Sequence, residues 1–228
     1  IKAWVDLHIE QGPVLVSEGV KICFVEWIGG LVHKLVTIRG RAGHAETTPM
    51  LARHDPLLGC AEIIQQVNRI AKEISTTSVG TVGLLRVEPG AMNVIPGKVE
   101  MGIDFRDIVA ERIDLGMARI EAEIQRVCQE LGLECSMSER SRLLPQPMSR
   151  RIMNSIERAA KTLGATHRLM PSGAGHDTQN MARICETGMI FVPSRNGISH
   201  APDEWTDPLD LALGADVLLG TILDLDRD

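Results

Sequence analysis

The sequence contains the run Lys98-Val99-Glu100-Met101-Gly102-Ile103-Asp104-Phe105-Arg106. Its large apolar residues occupy every second position, with mostly polar residues between them. Because successive side chains of a β-strand point to opposite faces, this alternation predicts a strand with one buried face and one wet face. Arg106 ends the stretch and falls on the wet face.

The segments on either side of this strand extend the pattern. Residues at even spacing predict further strands, and apolar residues three and four positions apart predict amphipathic helices. In chain order the predicted elements are a strand near 32–38, a helix over 60–74, a strand over 81–87, the strand quoted above, a helix over 113–131 and a strand over 133–137. This order predicts a ferredoxin-like (βαββαβ) α+β unit, in which two helices cover one face of a four-stranded sheet.

The two ends of the chain have a different pattern. Residues 1–9 predict a short strand, 149–163 a helix and 188–193 a buried strand. A last helix is predicted after Asp207, a good N-cap, with Pro208 as its first residue. We expect the two ends to form one α/β body, with the α+β unit inserted between them.

Charge and composition exclude several classes of function. The 228 residues carry 24 Lys and Arg against 30 Asp and Glu, a formal charge of −6, so nothing favours nucleic-acid binding. No apolar run approaches the roughly 18 residues that span a bilayer, and no secretory leader is visible. The five cysteines are odd in number and widely spaced. They are interpreted as small buried hydrophobes in a reducing compartment, which predicts a cytoplasmic protein.

Two histidines lie where α/β sheets place their sites. His8 is near the end of the first predicted strand, and His200 is in the loop after the strand at 188–193. Two imidazoles at strand ends indicate a metal site. A catalytic zinc, however, needs at least three protein ligands, so an ordinary structural role for either histidine stays open.

Three polar residues of the middle unit are further candidates. His44 could donate a hydrogen bond to a developing oxyanion, or could belong to a loop that caps the next helix. Arg106 could bind a carboxylate through its guanidinium fork, or could pair with Asp104 or Asp107. Asn93 lies in a loop, where an asparagine ordinarily serves the turn.

The run Gly173-Ala174-Gly175-His176-Asp177 predicts a tight loop that brings backbone N–H groups to a ligand. No strand is predicted before it, and the dinucleotide fingerprint is incomplete, so a nucleotide site is not expected. Neither Ser194 nor Ser199 lies in a nucleophile elbow, which argues against a serine hydrolase.

Several stretches, taken together, resemble one family of enzymes. They are LHIEQGP at 7–13, GHAETTPM at 43–50, NVIPG at 93–97, DFRD at 104–107, PSGAGHD at 171–177 and GISH at 197–200. In this order they resemble the dinuclear-metal amidohydrolases that include N-carbamoyl-L-amino-acid hydrolase, allantoate amidohydrolase and β-ureidopropionase. The likeness covers nearly the whole chain, and the run VEPG at 87–90 followed by NVIPG is most similar to the carbamoylases.

The resemblance implies a catalytic α/β domain, formed by 1–28 and 147–228, and an inserted lid and dimerisation domain, 29–146. It implies metal-dependent hydrolysis of a ureido C–N bond in an N-carbamoyl amino acid or an allantoate-like substrate that bears a carboxylate. Two divalent ions would assist, zinc or manganese with nickel or cobalt as alternatives. The enzyme would be a homodimer through the lid.

By the same resemblance, His8 and His200 are metal ligands. The family takes its other ligands, a His, a bridging Asp and a Glu, and its general-base Glu from an earlier segment that does not occur here. Glu10 does not correspond to that base. We therefore expect the carboxyl-terminal portion of an enzyme, inactive alone. Missing sheet neighbours should then leave apolar surface uncovered around strands 4–9 and 188–193.

Four positions match substrate-binding residues of the family: Gln11, His44, Asn93 and Arg106. Arg106 would bind the substrate carboxylate, while His44, reaching in from the partner subunit, and Asn93 would hold the ureido oxygen. Glu46 stands where the family has glycine, and its charge could weaken binding of an anionic substrate or point to solvent. The pocket would also be lined by the loop of Gly173, Ala174, Gly175 and His176.

Two other interpretations stay open. The chain could be a dimerising or ligand-binding module without catalysis, since two histidines alone hold a catalytic metal poorly. It could also be an aminopeptidase-like relative with the same lid. Arg106 and Asn93 at matching positions favour a carboxylate-bearing ureido substrate over a peptide.

Overall fold

A computed structural model describes residues 1–227, which form two compact units. The middle unit is Gly30–Pro145, and the flanking unit is Ile1–Gly29 together with the chain from Gln146 onward. The predicted middle domain runs from 29 to 146. The assignment of the two units as lid and catalytic domain stays a prediction.

The described residues form both β-strands and helices. The strands are β1 (Ala3–Ile9), β2 (Ile22–Ile28), β3 (Gly30–Arg39), β4 (Gly43–His44), β5 (Val79–Glu88), β6 (Val94–Ile95), β7 (Lys98–Asp107), β8 (Glu134–Leu143), β9 (Gln146–Pro147), β10 (His167–Ser172) and β11 (Glu186–Val192). The helices are α1 (Val14–Glu18), α2 (Pro56–Ile74), α3 (Ala110–Leu131), α4 (Arg150–Thr162), α5 (Thr178–Met181) and α6 (Pro208–Asp226). None of these helices is long and apolar enough to cross a membrane.

The middle unit has the predicted order of strand, helix, strand, strand, helix and strand. Its sheet runs β5-β7-β3-β8 with every neighbouring pair antiparallel. The inner side chains of β7 are buried against α2 and α3, and the outer side chains are half-buried, which confirms the predicted alternation. The face opposite the helices therefore carries polar side chains, among them His33, Glu100, Asp104 and Arg106.

The flanking unit is a mixed sheet with helices on both faces. Its strand order is β1-β11-β2-β10, and β9 pairs with β2. β1 runs parallel to β11, whereas β11 and β2 are antiparallel. Helices α4 and α6 pack on one face around Ile152, Ile190 and Val217. The sequence analysis missed β2 and β10.

The expectation of uncovered apolar surface is wrong for residues 188–193. β11 lies between β1 and β2, so Met189, Ile190 and Phe191 are buried. The strand that was not predicted, β2, supplies the sheet neighbour that was thought to be missing. β1 and β10 are the edge strands of this sheet, and Trp4 on β1 is 36% exposed.

The five cysteines are free thiols. Cys23, Cys60 and Cys128 are buried, and burial raises the pKa of Cys23 and of Cys60 to about 12. These thiols therefore stay protonated at neutral pH and pack as small apolar groups, as the sequence predicted. Cys135 and Cys185 are half-buried.

Gly116 allows α3 to approach the sheet. A Cβ at this position would lie 2.3 Å from the ring of Phe105, which is fully buried. We expect Gly116→Ala to lower the unfolding free energy of the middle unit by about 1–2 kcal/mol, because overpacking outweighs the gain in helix propensity. Urea-dependent hydrogen exchange of α3 amides measures the change.

Gly83→Ala in β5 is the matched control, since an added Cβ there meets nothing within 4 Å. This variant should be neutral or slightly more stable than the wild type. Equal stability of the Gly116→Ala and wild-type proteins would show that the ring of Phe105 moves aside freely.

Candidate active site

The carboxyl ends of β1 and β11 lie side by side. The two strands are parallel, with His8 opposite Phe191 and Ile9 opposite Val192. Both strands therefore deliver their following segments to one edge of the sheet. The segment after β1 contains Gln11, and the segment after β11 contains His200, so the structure brings together two predicted regions of the site.

These two segments are in direct contact. The backbone N–H of Gln11 donates to Ser194 Oγ at 3.0 Å. Gly197 adopts a left-handed φ of 66°, and a Cβ there would lie 2.7 Å from the backbone nitrogen of Pro13. Only glycine permits both the conformation and the close approach. The turn of Gln11 and the loop of His200 are thus held together by backbone contacts.

Backbone strain is concentrated at the same edge. Among residues 1–227, the non-glycine residues with positive φ are Gln11 at 59°, Asn196 at 57° and His200 at 56°. All three lie in the two segments described above. Left-handed conformations of non-glycine residues are unfavourable and tend to occur at functional sites, where the surrounding structure maintains them. Sequence reasoning had no signal for this feature.

His8 has a ring orientation suited to a ligand. Its Nδ1 lies 2.8 Å from the carbonyl oxygen of Ile9, to which it must donate because a carbonyl only accepts. In the neutral ring the proton is therefore on Nδ1, and Nε2 carries the lone pair. This is the tautomer that a histidine uses when it binds a metal through Nε2.

His176 packs against His8. Their ring centroids are 4.7 Å apart at an interplanar angle of 73°, and His176 also contacts Phe191 and Ser172 Oγ, the latter at 2.8 Å. Burial, with a smaller contribution from His8, lowers the pKa of His176 to about 4. His176 is therefore neutral at physiological pH, and it connects the 173–176 loop to His8.

The expectation that no strand precedes this loop is wrong. β10 runs from His167 to Ser172, directly before Gly173. It pairs in parallel with β2, with an irregularity in register between Met170 and Ser172. Pro171 at that irregularity interrupts the apolar alternation, which explains why the sequence pattern did not indicate a strand.

Two glutamates, one of them missed by the sequence analysis, organise the loops. Glu204 accepts hydrogen bonds from the backbone N–H of His200 and from Ser199 Oγ at 3.0 and 2.9 Å, and these bonds lower its pKa. Glu10 is buried, which raises its pKa, and its carboxylate accepts the backbone N–H groups of Val14 and Leu15. Glu10 therefore anchors α1 and is not placed as a general base.

The donor set for a metal is incomplete within this chain. Among residues 1–227, no group of three or more His, Cys, Asp or Glu side chains could hold a metal ion. His8 and His200 supply two imidazoles, whereas a catalytic zinc takes three protein ligands. The described residues alone therefore do not fit a catalytic metal centre.

His44 and Asn93 lie together in the middle unit, on a short ribbon formed by β4 and β6. His44 is opposite Val94 in the antiparallel pair, and the backbone N–H of Ala45 donates to the carbonyl of Asn93 at 3.1 Å. Both His44 and Asn93 are exposed. The ribbon thus carries an exposed imidazole, and an exposed carboxamide directly precedes its second strand.

Arg53 braces the loop that carries His44. Its guanidinium donates to the carbonyl oxygens of Ala45 at 2.6 Å and of Thr48 at 3.0 Å. Arg53 was not predicted, because its role depends on a chain reversal that the sequence pattern does not reveal. Glu46 is exposed, and its backbone N–H donates to His44 Nδ1 at 3.1 Å.

Arg106 lies on the open face of the middle sheet and is paired with Asp104. Its Nε and Nη2 donate to the two carboxylate oxygens at 2.8 and 2.7 Å. Asp107, the other candidate partner, instead accepts hydrogen bonds from Thr77 and Ser78. The pairing with Asp104 that the sequence left open is thus present.

Arg106 does not lie near the ribbon of His44 and Asn93. β7 begins at Lys98, next to the ribbon, and Arg106 is its penultimate residue. At a rise of about 3.3 Å per residue, the two ends are separated by about 26 Å. One middle unit therefore presents these predicted substrate-binding residues at opposite ends of a strand.

Comparison with known proteins supplies a family. The model of peptidase family M20/M25/M40 matches residues 1–224. The chain is 40% identical over its whole length to N-carbamoyl-L-amino-acid amidohydrolase from Paenarthrobacter aurescens and 42% identical over 99% of its length to the enzyme of that kind from Geobacillus stearothermophilus. An allantoate amidohydrolase from Bacillus subtilis is 36% identical over 96% of the chain.

Solved structures agree with the sequence relatives. An amidase of the hydantoinase/carbamoylase family from Burkholderia multivorans matches 99% of the chain with a TM-score of 0.92 and 35% identity, and the match covers 55% of that structure. The chain also spans 55% of each of the first two relatives and 53% of the third. It thus corresponds to about half the length of the proteins it resembles.

Proposed function

The chain belongs to peptidase family M20/M25/M40, and from that premise we propose that it forms part of an amidohydrolase acting on the ureido C–N bond of N-carbamoyl amino acids. The observation that carries the proposal is the joined pair of segments after β1 and β11. There His8 has its Nε2 lone pair available, and His200 lies in a loop held against the turn of Gln11. The relatives from Paenarthrobacter aurescens and Geobacillus stearothermophilus, at 40% and 42% identity, are both N-carbamoyl-L-amino-acid amidohydrolases.

In this proposal His8 and His200 are two of the ligands of a dinuclear site for divalent ions, zinc or manganese. The other ligands and the general-base glutamate come from a segment outside this chain, because the described residues offer no third ligand. Divalent ions, when bound, would polarise the ureido carbonyl and lower the pKa of water. This chain would contribute two imidazole ligands to the metal site, and it would bind the substrate.

Substrate binding is assigned to four side chains. Arg106 binds the substrate carboxylate, for which a planar guanidinium supplies two parallel hydrogen bonds. His44 and Asn93, adjacent on the β4–β6 ribbon, donate to the ureido oxygen, where negative charge develops during hydrolysis. Gln11 lines the site beside the loop of His200, and the loop of Gly173–His176 lines it next to His8.

A homodimer is part of this proposal. An N-carbamoyl amino acid is much shorter than the roughly 26 Å that separates the ends of β7, so Arg106 and His44 of one middle unit do not reach the same substrate molecule. In a dimer, the ribbon of one copy could instead contribute to the substrate site of the other copy. A single substrate molecule would then contact Arg106 of one copy and His44 of the other. The middle unit would then be the lid and dimerisation domain, and its strand order of β5-β7-β3-β8 supports a ferredoxin-like form.

One alternative function has a specific observation in its favour. A ligand-binding module without catalysis is consistent with the lack of a three-ligand group among the described residues.

The allantoate amidohydrolase relative supports allantoate as an alternative substrate. The free cysteines are typical of a reducing compartment, which supports a cytoplasmic location.

The proposal is tested by ammonia release from N-carbamoyl amino acids. The full-length enzyme, which carries the remaining ligands, should release ammonia with manganese or zinc. The isolated 228-residue chain should show no turnover above a His200→Ala control, because two imidazoles do not hold a catalytic metal. Metal-dependent turnover by the isolated chain, or none by the full-length enzyme, would contradict the proposal.

A further inference from the structure

Four polar side chains form a continuous hydrogen-bonded row across the open face of the middle sheet. Arg106 and Asp104 are on β7, His33 on β3 and Ser141 on β8. His33 is opposite Asp104 on one side and Ser141 on the other. The strand register therefore places these residues next to one another, although they are far apart in the sequence.

Hydrogen-bond distances connect each of these side chains to the next one in the row. Ser141 Oγ lies 2.8 Å from His33 Nδ1, and His33 Nε2 lies 3.0 Å from Asp104 Oδ2. Asp104 then accepts the two bonds from Arg106 at 2.8 and 2.7 Å. If His33 donates to Asp104 through Nε2, its Nδ1 accepts from the Ser141 hydroxyl, so one tautomer satisfies the whole row.

The charge state of the row agrees with this geometry. Burial opposes ionisation of Asp104, but the hydrogen bonds and charges of Arg106 and His33 outweigh it and hold the pKa of the carboxyl below its usual range. The bond to Asp104 in turn raises the pKa of Arg106. A two-point contact between a carboxylate and a guanidinium fixes the plane of the guanidinium as well as its position.

We propose that Asp104, itself oriented by His33 and Ser141, is a positioning residue that fixes the guanidinium plane of Arg106 for the substrate carboxylate. This inference rests on the proposed function of Arg106 and adds the residues that preorganise it. Long charged side chains lose conformational entropy when a ligand immobilises them, and a contact that is already made removes part of that loss.

The sign of the change in KM separates positioning from simple charge. Removing a negative charge beside Arg106 would by itself strengthen attraction for an anionic substrate and lower KM. Loss of the fixed orientation of the Arg106 guanidinium plane would instead weaken substrate binding and raise KM. In the full-length enzyme, Asp104→Asn should raise KM for an N-carbamoyl amino acid about 10-fold with kcat changed less than about 2-fold. His33→Ala should shift KM in the same direction by about 3-fold.

The matched control is Glu100→Gln. Glu100 lies on the same face of β7, four residues before Asp104, and is paired with Lys98. The same carboxylate-to-amide change there should leave KM unaltered. A double-mutant cycle adds a second readout, since Asp104→Asn should have no further effect on KM when Arg106 is already alanine.

The outcomes distinguish this inference from the proposed function. If the wild-type enzyme is active and Arg106→Ala raises KM, but Asp104→Asn leaves KM unchanged or lowers it, the positioning role is wrong and the function stands. The same applies if Asp104→Asn only lowers thermal stability or only lowers kcat. If Arg106→Ala does not alter KM, the assigned function of Arg106 itself fails.

Discussion

Mixing His44→Ala and Arg106→Ala subunits of the full-length enzyme is expected to restore about one quarter of wild-type activity, although each variant alone is nearly inactive. Loss of a hydrogen-bond donor to the developing oxyanion typically costs about 100-fold or more in kcat. Loss of the carboxylate clamp raises KM, so kcat/KM should also fall about 100-fold. Activity is measured at low substrate concentration after subunit exchange.

The recovery follows from the separation between Arg106, near the end of β7, and the ribbon that carries His44, next to the beginning of β7. If the ribbon of one copy serves the site of the other, a mixed dimer contains one site with both residues intact and one site with both lost. Half of the dimers in an equal mixture are mixed, and half of their sites work, which gives about one quarter.

The matched control mixes His44→Ala with Asn93→Ala. Both residues lie on the same ribbon, with the backbone of Ala45 bonded to that of Asn93. Every site in this mixture therefore lacks one of the two donors, and no recovery is expected. Recovery in this control, or its absence in the first mixture, would contradict the sharing of sites between subunits.

The elements of the middle unit were predictable because one of their faces is buried and the other is wet. The alternation from Val99 to Phe105 and the helical spacing of apolar residues in α2 and α3 follow directly from that condition. β2 was missed for the opposite reason. Its first four residues, 22–25, are apolar and buried or half-buried on both faces, so they form a run without alternation, which periodicity does not distinguish from other buried segments.

The candidate site was predictable only in part. The positions of His8 and His200 at strand ends, and the wet-face location of Arg106, are local properties of the sequence. Contacts between distant segments are not. The bond from His33 to Asp104 depends on strand register, and the approach of Gly197 to Pro13 depends on how two loops fold against each other.

On the proposed dinuclear site, His8→Ala in the full-length enzyme is expected to lower kcat by more than about 1,000-fold and to reduce the bound metal from two ions towards one per subunit. Groups that only orient a metal ligand already account for about 10–100-fold, and a direct ligand should matter more. The contact with the Ile9 carbonyl leaves Nε2 available to the proposed metal site, and alanine removes that donor. Metal content after dialysis and kcat are measured on the same samples.

His167→Ala is the matched control. His167 Nδ1 makes the same kind of contact with a backbone carbonyl, that of Ala165, at 2.9 Å. It lies on β10, three strands from β1 and thus about 14 Å away across the sheet. This variant should retain both metal ions and most of kcat. Unchanged metal content in His8→Ala would remove His8 from the metal site, whereas equal losses in both variants would indicate damage to the fold of the flanking unit.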